Sequence, residues 1–141
     1  MRPEPSVHDN IVYSYSVDCE GSRLVLHTVF RDREPHEFTD LVFRDVVAHH
    51  FEHVLPGNIL FGVDEVDVAS VVSRDRRLLS DSWRYGWPPV PYDGDLEILT
   101  ETLKASAVRA YEISSSYGLS GWVLAGACDR VPRVEPAKVA P

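Results

Sequence analysis

The sequence predicts an α+β domain: a mostly antiparallel β-sheet with two helices inserted before a C-terminal β-hairpin. Three observations carry this expectation. Residues 11–30 hold two stretches of apolar and polar residues in alternation, joined by Glu20-Gly21. Residues 67–84 and 95–105 carry apolar residues at helical spacing, each behind an aspartate able to cap a helix. Residues 108–127 return to short apolar runs on either side of a Ser- and Gly-rich break.

Each element follows in order. Ile11, Tyr13, Tyr15, Val17 and Cys19 share one face of a first strand, opposite Val12, Ser14, Ser16 and Asp18. Residues 22–30 form the second strand, and the short link makes an antiparallel hairpin. Arg31 to Glu37 is a polar loop, and a third strand begins near Phe38. Residues 45–55 fit either state: Val47, Phe51, Val54 and Leu55 recur at helical spacing, whereas Phe43, Val47, Phe51 and Leu55 also share a face of an extended chain. The strand reading is preferred, because Pro56-Gly57-Asn58 places a turn between two apolar runs, the second being Ile59 to Val63. Asp67 caps a helix running to about Arg84, with Val68, Val71, Val72, Leu79 and Trp83 on its apolar face. The segment 85–94, with three prolines and two glycines, is a loop, and Asp95 caps a helix through Leu96, Leu99 and Leu103. A hairpin around Ser114-Ser115-Ser116-Tyr117-Gly118 closes the domain, with Trp122 buried and a last strand whose Gly and Ala content permits close approach by a helix or a neighbouring chain.

Composition narrows the function. The chain has 141 residues, 44% hydrophobic and 26% charged, enough for one domain with a real core. That domain is expected over 9–130, with 1–8 and 131–141 as flexible tails. Twenty-two Asp and Glu against fourteen Lys and Arg give a net charge of -8, which opposes nucleic-acid binding. The first ten residues lack the apolar run of a signal peptide, and no stretch approaches the ~20 apolar residues of a membrane span. The expectation is a cytoplasmic protein with no membrane partner, whose Cys19 and Cys128 are buried thiols.

Three stretches bear on chemistry. His49-His50-Phe51-Glu52-His53 contains H-x-x-E-H, the spacing of the inverted zinc-peptidase motif. On a helix, His49 and His53 could share a metal beside Glu52. On a strand they stand about 13 Å apart at ~3.3 Å per residue, too far for one ion. No metal or other cofactor is therefore expected, with His49 and His53 kept as the alternative ligands. The acidic residues at 64–67 and 93–101 read first as carboxylates at helix N-termini. The third stretch, Trp83 to Tyr92, packs four large aromatics and three prolines into ten positions. Such rings dominate binding interfaces, and prolines limit the entropy lost on docking. Trp83, Tyr85, Trp87, Tyr92, Asp93 and Asp95 are the expected partner-binding residues. No catalytic residue is assigned, since no serine lies in G-x-S-x-G and no phosphate-binding glycine motif occurs.

Four segments, Phe43-Arg44-Asp45-Val46, Gly57-Asn58-Ile59-Leu60-Phe61, Tyr85-Gly86-Trp87-Pro88 and Ser115-Ser116-Tyr117-Gly118-Leu119-Ser120-Gly121-Trp122-Val123, resemble small uncharacterised bacterial proteins. Some of that type are similar to immunity proteins encoded beside secreted toxins. The resemblance implies an immunity-like binding protein, with no functional residue carried over, while the net charge and the acidic clusters point to a cationic protein partner. The alternatives are a small metal-dependent enzyme using His49, Glu52 and His53, or a small-molecule-binding domain with the Trp-rich loop as lid.

Overall fold

The computed structural model describes residues 6–138. Among them are eight antiparallel strands and three α-helices, so the chain is mostly β with helices added. The strands are β1 (Ile11–Asp18), β2 (Arg23–Phe30), β3 (Glu37–Arg44), β4 (Ala48–Glu52), β5 (Asn58–Val66), β6 (Arg109–Tyr117), β7 (Ser120–Ala125) and β8 (Ala127–Arg133). The helices are α1 (Val68–Arg74), α2 (Arg76–Ser82) and α3 (Leu96–Ala105), all between β5 and β6.

The sheet order is β4-β7-β6-β5-β1-β2-β3-β8. Two short links close it on itself. β3 and β4 are separated by residues 45–47, and β7 and β8 by Gly126 alone. β3 pairs with β8 up to Arg44↔Ala127, and β4 pairs with β7 from Ala48↔Leu124. The two bent strands therefore run antiparallel past a common corner. The Gly126 N–H donates to the Arg44 carbonyl at 2.9 Å there, and the Val47 N–H to that of Leu124 at 2.8 Å. The result is a barrel-like ring. Contacts reach across its interior: the Phe43 and Tyr111 rings lie 5.6 Å apart, and Arg130 Nη2 donates to the Val63 carbonyl at 3.3 Å.

Inside the ring, Leu24, Leu26, Leu41, Phe43, Leu60 and Val123 belong to one apolar cluster. Outside it, the helices cover β4, β7 and β6, and a second cluster joins Val71, Val72, Leu79, Leu99 and Leu103 to Trp122 and Leu124. Trp122 is fully buried, as its sequence context predicts. Alternation along β7 feeds both clusters, Trp122 and Leu124 outward, Val123 and Ala125 inward.

Several expectations are refined. Residues 48–52 are a strand, but β4 pairs with β7 rather than with β5, so Pro56-Gly57 is not a hairpin turn. The β1 register shifts between Val12 and Ser14, leaving Tyr13 as a bulge. The bulge puts Val12 on the same face as Tyr15 and Val17, which simple alternation assigns to opposite faces. The helix expected over 67–84 breaks at Asp75 (φ -108°, ψ 35°), whose carboxylate accepts from Trp122 Nε1. Ser114, Ser115 and Ser116 lie within β6, and the turn is at Gly118-Leu119. The domain expected to end at 130 continues in β8 to Arg133, because β3 offers an open edge there. Val7, expected in the N-terminal tail, is buried in the ring interior. The cysteines are not both buried: Cys19 is exposed in the β1–β2 turn and Cys128 is half-buried.

Candidate functional site

The aromatic stretch folds back on the domain over most of its length. Tyr92 is 1% exposed, and its hydroxyl donates to the Leu79 carbonyl at 2.6 Å. Burial pushes that phenol above its usual pKa. Trp87 stacks on Trp122 with ring centroids 5.8 Å apart, and Trp83 packs half-buried beside Gly94 against the helical core. Tyr92 is thus a core residue rather than a partner contact, and Trp83 and Trp87 hold the loop down. The reason is the Leu79 carbonyl in the short helix α2, which needs a donor that Tyr92 supplies. Tyr85 differs: it follows α2 in a single 3-10 turn and is 87% exposed.

Asp93 and Asp95 are exposed beside this loop. Asp95 caps α3, its carboxylate accepting from the Glu97 and Ile98 N–H groups. Asp67 caps α1 through the Ala69 N–H. That hydrogen bond, with Lys104 at 3.1 Å, holds the Asp67 carboxyl below its ordinary pKa. The capping role expected for these two aspartates is what their geometry supports. Glu97 and Glu101 stand on the exposed flank of α3, with Ile98 44% exposed between them.

The histidine-rich segment takes a different form from the one a metal needs. In β4, His49 pairs with Val123 and His50 with Trp122. His49 therefore faces the ring interior, while His50 and Glu52 face the helices. Extended backbone puts His49 and Glu52 on opposite faces, and His53 lies beyond the strand at φ 58°. The shared-ion arrangement required a helix and is lost. Among the described residues, no group of three or more His, Cys, Asp or Glu is placed to hold a metal ion.

His50 and Glu52 instead join a small polar recess of about 230 Å³ at the α1–α2 junction. His50 Nε2 lies 3.0 Å from Glu52 Oε1, Arg74 Nη2 donates to Glu112 Oε2 at 2.8 Å, and Trp122 Nε1 donates to Asp75 Oδ2 at 2.5 Å. The His50 and Trp122 rings are 6.0 Å apart, so Trp122 links the histidine segment to Trp87 and the aromatic loop. These polar groups are paired with one another. Ser114 and Ser115 donate to the carbonyls of Gly62 and Leu119, which commits their hydroxyls to the backbone. The recess reads as a polar clasp between helix and sheet. Arg74, Asp75 and Glu112 carry no sequence signal, since their meeting depends on the helix break and the β6–β7 pairing. Comparison with protein-family models, curated proteins and solved structures finds no match for the chain.

Proposed function

We propose that the chain is a binding protein that docks a cationic protein partner, with the contact centred on Tyr85 and the exposed flank of α3. One observation carries this reading: Asp93, Asp95, Glu97 and Glu101 are all exposed, and none of them forms an ion pair among the described residues. Nearby Asp67 and Glu65, by contrast, are matched by Lys104 and Arg109. Four carboxylates without an ion-pair partner lie along nine residues, Asp95 among them also capping α3, and a surface of ammonium or guanidinium groups balances them while steering encounter. Tyr85 and Ile98 add contact area that charge alone lacks. Trp83, Trp87 and Tyr92 contribute indirectly, since a loop already packed against its core loses little entropy when a partner docks.

The test is site-specific photo-crosslinking in cells that produce the full chain. Tyr85→p-benzoylphenylalanine should yield an adduct with a basic protein, and the same label at Asp129, on β8, should not. Adding Glu97→Gln and Glu101→Gln should sharply reduce the Tyr85 adduct. An adduct at 85 no stronger than at 129, or one indifferent to the two glutamates, would overturn the reading.

A further inference from the structure

A wide concavity lies at one open end of the ring, away from the helices. Residues 6–10, the loop between β2 and β3, the start of β3 and the end of β8 border a half-open groove of about 1030 Å³. Ligand pockets commonly span about 300–1,000 Å³ and favour the mouths of β-barrels. Its lining includes Asn10 and Thr39, both buried. Asn10 Nδ2 donates to Thr28 Oγ1 at 3.0 Å, and the Thr28 hydroxyl donates to the Thr39 carbonyl at 2.6 Å. This chain of bonds makes a fixed floor. Phe30, Phe38, Pro35 and Pro132 supply apolar walls.

The groove escapes the acidity of the rest of the chain. Arg33, Arg130 and Arg133 line it against Asp9 and Glu37, and with Asp40, which holds Arg133, its charges balance in a protein of net charge -8. Two of the guanidiniums are anchored: Arg133 Nη1 donates to the buried Asp40 at 3.0 Å, and Arg130 Nη2 donates to the Val63 carbonyl. The third, Arg33, is exposed on the loop and meets Glu37 at 3.4 Å, a solvated pair that exchanges partners at little cost.

We propose that this groove binds a small organic anion with an apolar body, a carboxylate carried on an aromatic or aliphatic group. The walls take the apolar body, and Arg33 closes on the carboxylate, whose planar geometry matches a guanidinium fork. Elsewhere the acidic surface repels such an anion, so the groove is the place where both halves of the molecule find a partner.

Titration of the full chain with 3-phenylpropionate, followed by amide chemical shifts, tests this. Two control probes are 3-phenylpropylamine, with the same body and opposite charge, and inorganic phosphate, with charge and no body. Saturable shifts confined to residues 9–10, 30–39 and 130–134 are expected with the carboxylate alone. Arg33→Glu, on an exposed loop, should keep the folded spectrum and weaken binding at least about tenfold, the scale of a lost charge-assisted hydrogen bond. No saturable shift, an equal response to the amine, or an equal response to phosphate would each overturn the proposal, as would unchanged affinity in a folded Arg33→Glu protein.

Discussion

Asn58 makes four hydrogen bonds from one buried side chain. Its Oδ1 accepts from the Leu55 and Leu119 N–H groups, both at 2.8 Å, and its Nδ2 donates to the carbonyls of Leu55 and Val12. It thereby ties β1, the loop before β5 and the β6–β7 turn together. Asn58→Leu would strand those backbone groups without partners and should cost about 3 kcal/mol or more, at ~1–3 kcal/mol for each buried group left unpaired. Asn58→Asp keeps the acceptor role and should cost less. Urea midpoints of the two variants decide it, and equal midpoints would refute the division of labour between Oδ1 and Nδ2. In sequence this residue reads only as the end of a Pro-Gly-Asn turn, because its distant partners lie 46 and 61 positions away. His49 gives a second expectation. Burial, and then the neighbouring His50, lowers its pKa from the ordinary value near 6.5. The unfolded chain therefore takes up the proton first. The stability that neutral His49 contributes is full above the unfolded pKa. It declines as pH falls through that value and levels off below the folded one. His49→Gln should flatten the loss of stability between about pH 7.5 and 5.5, measured as melting temperature against pH. A wild-type slope in the variant would place the titration elsewhere.

Elements were legible where their signals are local, and obscure where a distant partner decides. Asp67 and Asp95 announce their helices because a cap acts within three residues. The β1–β2 hairpin follows from its own alternation and short turn. The break at Asp75 is different, since it depends on Trp122, 47 residues away, and no helical pattern signals it. β4 is the instructive case: its extended state could be read, but not its partner. That partner is accepted through Gly121 at φ 150°, where an added Cβ would fall on the His50 carbonyl oxygen of β4. The close approach at Gly121 is made by strand β4 and not by the helix or neighbouring chain that the small residues suggested. Gly121→Ala should push β4 away and cost about 1–3 kcal/mol or more, as overpacking does. Hydrogen exchange should report this locally, with faster exchange at Ala48–Glu52 while β2 and β3 keep their protection. Unchanged exchange in β4 would mean the strand accommodates a Cβ by a small shift.

At the scale of the whole molecule, the fold depends on how its ring is closed. The α+β class and the antiparallel sheet were readable from composition and period. Closure was not, because it rests on two corners, residues 45–47 and Gly126, that look like ordinary strand ends. β8 was the cost of that blindness: Val131, Pro132 and Arg133 have the composition of a tail yet pair with Asp40, Thr39 and Phe38. This pairing covers the outer edge of β3, whose Leu41 and Phe43 form part of the ring interior. Arg133 adds a bond to Asp40, which also meets His27 Nδ1 at 2.9 Å. Beyond Arg133 the described contacts are slighter: Arg133 Nε donates to the Glu135 carbonyl at 3.3 Å, and the Ala137 N–H donates to the Tyr13 hydroxyl. Truncation should therefore have a threshold. A chain ending at Arg133 should unfold cooperatively near the wild-type temperature. A chain ending at Gly126 loses the ladder along β3 and the wall it provides. The two apolar clusters share β6 and β7, so opening the ring at β8 should loosen both together. That shorter chain is expected to lose its cooperative calorimetric transition, with Trp122 fluorescence shifting to the red alongside. If instead it melts in one sharp step with Trp122 still buried, the helices and β4–β7–β6 form an independent unit, and β8 is an accessory edge rather than the closure of the fold.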